Sequence, residues 1–359
     1  MQNDLSKPSS PEPIASEASM PKQARPNDEM QAVLDQLAAL GGKPIEQLSP
    51  QQARQQPTPA DAVKALLKSQ HKTTAPEPLG KVENKSIAGE SGNIAIRIYT
   101  PEGPGPFPVV LYIHGGGWVI ADLDTYDSSP RALANAAGAV VISTHYRLAP
   151  EHPFPASHDD VFTAYEWVLA NASSFNGDPK RVAVAGESAG GNMAAAISLT
   201  ARQRKLPLPI HQVLVYPVSG TDTNTPSFLE NAKAKPLNKA MMLWFARHEF
   251  RNTPDHQDHR IDLAAADLSG MPSTTLITAQ IDPLRSAGET LAEKLRTAGV
   301  AVDYKNYEGV THEFFGMGAV LSQSREATKL AAANLKKAFT SDADSRKAAS
   351  TKTAPSKPV

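Results

Sequence analysis

The chain reads as an α/β protein built on a doubly wound, mostly parallel sheet. Two observations predict this. From about residue 80 the strand-like runs NIAIRIYT, PVVLYIH, AVVISTHY, RVAVAG, QVLVYP and TTLITAQI alternate with helical stretches such as DDVFTAYEWVLANA and SAGETLAEKLRTAGV. Parallel strands joined by crossover helices need that alternation. The second is size: 359 residues with a hydrophobic fraction of 40% can bury a sizeable core, as one large domain or two smaller ones. No internal repeat offers a competing architecture.

In chain order, residues 1–27 are rich in Pro, Ser, Ala, Lys and Glu and poor in large apolar residues, so a flexible tail is expected. In NDEMQAVLDQLAAL, Met30, Val33, Leu34, Leu37 and Leu40 recur at helical spacing before Gly41-Gly42, and TPADAVKALLKSQ opens a second helix after a Pro. These two amphipathic helices stand outside the alternation. In SIAGESGNI the Gly89-Glu90-Ser91-Gly92 stretch lies between two strand-like runs and reads as a hairpin turn. After Asp160, the residues Val161, Ala164, Tyr165 and Val168 mark a buried helical face, and Trp167 beside them reads as packing. Residues 221–260 interrupt the alternation with PLNKAMMLWFARHEF, a helix carrying Met241, Met242, Leu243, Trp244 and Phe245, expected as an insertion over the ligand edge of the sheet. Residues 341–359 again have tail composition.

Charge and cysteine content exclude several classes. Lys+Arg 36 against Asp+Glu 37 leaves a net charge of -1, with no overall field to gather nucleic acid or an anionic membrane. A small uncharged substrate suits that balance. With Cys 0 there is no disulfide framework, thiolate metal site or cysteine nucleophile. The start lacks the basic and long apolar regions of a secretory signal, and no window reaches bilayer length, so the expected location is the cytoplasm, without stable membrane insertion.

Chemistry enters at RVAVAGESAGGNMAAAI, residues 181–197. An apolar strand runs into Gly186-Glu187-Ser188-Ala189-Gly190 and an Ala-rich helix follows, the strand-turn-helix setting in which G-x-S-x-G presents a nucleophilic serine. Glycines flank Ser188 because so sharp a turn has no room for side chains. The serine also sits at a helix N-terminus, which favours negative charge. Ser91, in its hairpin, lacks the helix.

A serine on such an elbow is followed in the chain by an acid and then a histidine. TTLITAQIDP places Asp282 just past a strand, a placement that Asp267 and Asp303 lack, and His312 in VDYKNYEGVTHEFF is the only histidine beyond it. The early glycine run in LYIHGGGWVI leaves bare amides after a strand, able to hold a tetrahedral oxyanion together with the amide of Ala189. A phosphate cradle is the rival reading; no Lys-Ser/Thr follows, and Ile120 breaks G-x-G-x-x-G.

Taken together, His114-Gly115-Gly116-Gly117-Trp118, Tyr146 to Ala156 (YRLAPEHPFPA), Gly186 to Gly191 (GESAGG), Asp282-Pro283-Leu284-Arg285 and His312 resemble the hormone-sensitive-lipase family of bacterial esterases, of the α/β-hydrolase fold. The resemblance spans roughly 28–340. It implies a Ser188, Asp282, His312 triad, oxyanion-hole amides from Gly116, Gly117 and Ala189, and a cap made of residues 28–75 and 221–260 over a catalytic domain of 76–220 and 261–340. Three residues depart from the pattern: Glu187 where many members carry Asp, Ser286 where an acid is common, and Glu313 where Gly or Ala is frequent. The expected activity is hydrolysis of short-to-medium acyl carboxylic esters through an acyl-enzyme, with no cofactor and no metal. Amide cleavage by the same triad, and a catalytically inactive small-molecule binder, are the alternatives. The partner expected is a small-molecule ester; a homodimer is compatible with the sequence.

Other residues invite a site but read as structure. Asp122, Asp124 and Asp127 precede a helix without EF-hand spacing. His256-Gln257-Asp258-His259 has no further ligand pair, and His248-Glu249 has no second His at zinc-protease spacing. The prolines and Arg147 of YRLAPEHPFPA read as a brace behind the site.

Overall fold

The N-terminal helices begin at side-chain caps. Asn27 accepts from the Met30 amide at 2.9 Å to start α1 (Asp28–Ala39), and Gly41, at φ +71, turns the chain away after its end. A short helix not foreseen, α2 (Pro50–Ala53), starts at a Ser49/Gln52 capping box, and α3 (Pro59–Ser69) starts at a Thr58/Asp61 box. The computed structural model describes residues 24–352. Most of the expected N-terminal tail, and residues 353–359, therefore lie outside the described residues.

β1 (Lys81–Gly89) and β2 (Gly92–Thr100) form an antiparallel hairpin whose last pair, Gly89 with Gly92, leaves Glu90 and Ser91 as the turn. There follow β3 (Phe107–Ile113), α4 (Ser128–Ala137), β4 (Val140–His145), α5 (Ala156–Asn171), β5 (Gly177–Glu187), α6 (Ala189–Gln203) and β6 (His211–Val215). Three helices interrupt the alternation between β6 and β7: α7 (Pro226–Glu230), α8 (Lys239–Glu249) and α9 (Thr253–Gln257). The chain closes with β7 (Ser273–Ile281), α10 (Arg285–Thr297), β8 (Val302–Thr311) and α11 (Ser322–Lys352). Among the described residues eight strands make one sheet in the order β1-β2-β4-β3-β5-β6-β7-β8, with β2 antiparallel to β1 and β4 and every later pairing parallel.

The two-residue period of a strand divides its side chains between two cores. Val109, Leu111 and Ile113 of β3 join the core formed with α5, α6, α8 and α10. Val110 and Tyr112 join the other, formed with α1, α3, α4 and α11. Trp167 packs as expected, its ring stacked on Phe175 at 5.7 Å. Covered on both faces, the sheet leaves only the strand ends free to hold a site. His114, Ser188, Asp282 and His312 directly follow β3, β5, β7 and β8, at their carboxyl ends.

The last helix continues through 341–352, a stretch with tail composition. Low apolar content removes the incentive to pack, but SDADSRKAASTK holds good helix formers and neither Gly nor Pro, so a helix already nucleated by packed residues can continue through it. No helix among the described residues is long and apolar enough to cross a membrane.

A Cβ on Gly190 would lie 2.1 Å from the Ile113 carbonyl oxygen and 2.5 Å from that of His114, whereas one on Gly220 meets only Asp262 at 3.5 Å. Gly190→Ala should therefore cost at least ~1–3 kcal/mol in a denaturant titration. Gly220→Ala should stay within about 0.5 kcal/mol of the parent. Equal stabilities for the two variants would contradict this packing.

Candidate active site

β5 passes into α6 through Ser188, whose backbone sits at φ 57 and ψ −119, a strained conformation for a residue with a side chain. The neighbours hold it there. Its amide donates to the Val215 carbonyl at 2.9 Å, and its carbonyl accepts from Val218 at 3.2 Å and Asn192 at 3.1 Å. Gly186 on one side and Gly190 on the other leave no space for a Cβ, each packed against backbone. The hydroxyl is thereby raised at the start of a helix.

His312 reaches it from β8: Nε2 lies 2.9 Å from Ser188 Oγ, and Nδ1 lies 2.7 Å from Asp282 Oδ2. Asp282 Oδ1 accepts the Leu284 amide at 2.9 Å, which fixes the carboxylate. A carboxylate only accepts, so the Nδ1 proton points at Asp282 and the Nε2 lone pair faces the serine hydroxyl. Burial pushes His312 down; the charge and hydrogen bond of Asp282, with Glu313 and Glu187 behind, outweigh it and hold the imidazole above its ordinary value. The other HEF histidine, His248, lies on α8 with its ring against Trp244 at 4.5 Å. Ser91 stays in the β1–β2 turn, far in the topology from any such partner.

The glycine run leaves β3 with Gly116 at φ 92 and Gly117 at φ 57, the left-handed region that glycine enters without strain. A Cβ on Gly117 would strike the Phe245 ring at 2.4 Å. The carbonyls of the loop are tied down: Gly116 accepts from Val119 and Ile120 at 3.1 and 3.0 Å, and Trp118 accepts from Ala149 at 2.9 Å. The Gly116 and Gly117 amides have no acceptor among the described residues. Ala189 opens α6, where a first amide has no partner within the helix. Gly116, Gly117, Ser188 and His312 line one cavity of about 1020 Å³, which residues of the N-terminal helices and the 221–260 insertion also line.

Several residues support the site through contacts that the sequence does not show. Arg54 of the N-terminal segment donates to the Val119 carbonyl at 2.8 Å and the Ala149 carbonyl at 2.8 Å, and pairs with Glu151 at 2.7 Å. It joins the glycine loop to the proline-rich loop. Tyr146 Oη donates toward the Gly115 carbonyl at 2.9 Å and the His114 carbonyl at 3.1 Å. Glu187, beside the serine, is fully enclosed and takes the hydroxyls of Tyr112 and Tyr216. Burial and the nearby Glu313 charge push its carboxyl up to about 7 against those donors. The Tyr216 ring packs on His312 at 4.4 Å between centroids. Only contact across the folded sheet makes these residues neighbours.

The residues weighed as structural have partners of their own. Arg97 pairs with Asp124 at 2.7 Å and Asp127 at 3.0 Å, Tyr99 donates to Asp127 at 2.8 Å, and Asp122 caps Thr125 at 2.8 Å. Asp258 pairs with Arg260 at 3.0 Å, and the His256 ring lies on Phe250 at 4.4 Å. Arg147 grips Asp160 at 2.8 Å, bracing the proline-rich loop against α5. Ser286 exchanges hydrogen bonds with Ser227 at 2.9 and 3.1 Å, fastening α10 to the insertion.

Arg54→Ala leaves two loop carbonyls without their cationic donor. The expected loss in a denaturant titration is ~1.5–3 kcal/mol, and Arg54→Lys should recover only part of it, since an ammonium cannot span both carbonyls and Glu151. An Arg54→Ala chain as stable as the parent would show that the clamp contributes nothing.

A family described as alpha/beta hydrolase fold matches residues 110–316. A carboxylesterase of Mycobacterium tuberculosis is 41% identical over 79% of this chain and 91% of its own length. An arylesterase of Saccharolobus solfataricus is 34% identical over 75% of this chain and 87% of its own. The solved structure of a hyperthermophilic esterase from Pyrobaculum calidifontis superposes with a TM-score of 0.80 at 36% identity, covering 87% of this chain and 98% of that one. The chain belongs to the α/β-hydrolase fold family, among its hormone-sensitive-lipase-type esterases.

Proposed function

We propose that this protein hydrolyses carboxylic esters with short-to-medium acyl chains through an acyl-enzyme on Ser188. The observation that carries the reading is the chain of contacts from Asp282 through His312 to Ser188, at 2.7 and 2.9 Å, beside glycine amides without an acceptor among the described residues. The kinship with carboxylesterases supports the reaction class.

In this mechanism Ser188 Oγ bonds to the ester carbonyl carbon while its proton passes to His312 Nε2. The carbonyl oxygen becomes an oxyanion and takes hydrogen bonds from the amides of Gly116, Gly117 and Ala189, which need no reorganisation to receive it. The imidazolium, held by Asp282, gives its proton to the departing alcohol oxygen as the C–O bond breaks. Water then adds to the acyl carbon, passes a proton to Nε2, and Ser188 leaves with it. Residues 28–75 and 221–260 serve as the cap: Leu34, Leu37, Met241, Met242 and Phe245 give the shared cavity an apolar wall suited to an acyl chain.

An organophosphate should label Ser188 once per chain, and Ser188→Ala should abolish both labelling and turnover of a nitrophenyl ester, whereas Ser91→Ala should do neither. Labelling that survives Ser188→Ala would end the proposal.

The base must be neutral to accept the serine proton. Since His312 is held above its ordinary value, kcat/KM should rise with pH through a midpoint above about 6.5, the unperturbed imidazole value. His312→Ala should lower turnover by at least roughly 10²–10⁴, the range for a general base. A midpoint at or below the unperturbed value would contradict the assigned environment.

A further inference from the structure

Glu313, one of the departures from the family pattern, follows His312 directly and stands at φ 72. Its carboxyl is clamped from behind: Tyr126 Oη lies 2.7 Å from Oε1 and 2.8 Å from Oε2. Gly115 leaves room for this hydroxyl, which lies 2.4 Å from where a Cβ there would stand. So held, Oε1 lies 3.8 Å from His312 Nε2, and Glu313 lines the cavity that holds Ser188. Its side chain is 21% exposed, so one edge of the carboxyl stays open.

The 3.8 Å gap suits a single bridging water. A molecule with hydrogen bonds of about 2.8 Å to each atom spans it at an acceptable angle. We infer that Glu313 is a catalytic residue of the second half-reaction, accepting one hydrogen of the hydrolytic water while His312 Nε2 accepts the other. This rests on the acyl-enzyme reading above.

The step balances without any net change at Glu313. The water oxygen bonds to the acyl carbon, and its first proton moves to Nε2. The second hydrogen stays on that oxygen, pointing at Oε1, and becomes the O–H of the product acid. The C–Oγ bond breaks and Ser188 recovers the proton from His312. Burial raises the Glu313 carboxyl while His312 opposes it; in either protonation state an oxygen remains to accept.

Selectivity for this half follows from the nucleophile. During acylation Nε2 serves Ser188 Oγ and then the leaving alcohol oxygen, which carries carbon where water carries its second hydrogen. Only water can satisfy both acceptors at once. An alcohol attacking the acyl-enzyme gains nothing from Glu313.

The test uses the full chain, 4-nitrophenyl acetate and stopped-flow detection, with burst amplitude counting active sites, and a second measurement of the methyl acetate to acetate ratio in added methanol. Glu313→Met removes the acceptor at similar size; Glu313→Gln keeps one. Glu313→Met should slow deacylation about three- to tenfold more than acylation, the worth of one hydrogen bond, and raise the methyl acetate to acetate ratio by a similar factor. Glu313→Gln should restore most of both. Parallel losses in the two steps, an unchanged product ratio, or equal behaviour of the Met and Gln variants would overturn the role. Absence of a burst and of Ser188 labelling in the parent chain would instead be a failure of the acyl-enzyme reading itself.

Discussion

Ser188 occupies a backbone conformation at φ 57 that a lone residue would abandon. It stays because the surroundings leave no alternative: the Val215 and Val218 backbone hold both of its peptide groups, and Gly186 and Gly190 let the strand, the turn and the helix approach within a Cβ's width. The contact of Gly190 with the Ile113 and His114 carbonyls also fixes how far β3 lies from the elbow. The glycine loop that leaves β3 is therefore set in place by the same turn that raises the serine. A lost glycine here would disturb Ser188 and the glycine-loop amides together.

Around that turn several enclosed polar groups are matched. Glu187 spends its oxygens on two tyrosines, one of which, Tyr216, forms a face of the His312 pocket. Arg54 closes the loop carbonyls from the N-terminal side, and Asn192 donates to the Val218 and Ile261 carbonyls at 2.9 and 3.1 Å while accepting from His158 at 3.0 Å. A buried polar group without a partner is costly, so each such bond restricts the loops to one arrangement. The restriction holds the Gly116 and Gly117 amides in place at the edge of the cavity.

Much of this was legible in the chain itself. The strand runs, the elbow, the order of Ser188, Asp282 and His312, and the hairpin around Ser91 follow from periodicity and from turns that only glycine permits. Both α2 and the extension of α11 escaped. The capping box at Ser49 and Gln52 was available for the first. For the second, composition measures the drive to pack, not the tendency of an established helix to continue. Choosing between His248 and His312 needed only chain order, and the contacts of His312 with Ser188 and Asp282 agree with that choice.

By itself, then, the sequence determined most of the elements, the glycine turns and the residue types that meet at the strand ends, because these depend on local sterics and on spacing along one strand or helix. Tertiary structure alone decided which distant side chains became neighbours: Arg54 beside Val119, Tyr216 over His312, Tyr126 against Glu313. Such pairs join segments separated by tens to hundreds of residues. No local preference encodes them; they arise when parallel strands bring their carboxyl ends to one edge, where residues of the N-terminal helices and of 221–260 line the same cavity.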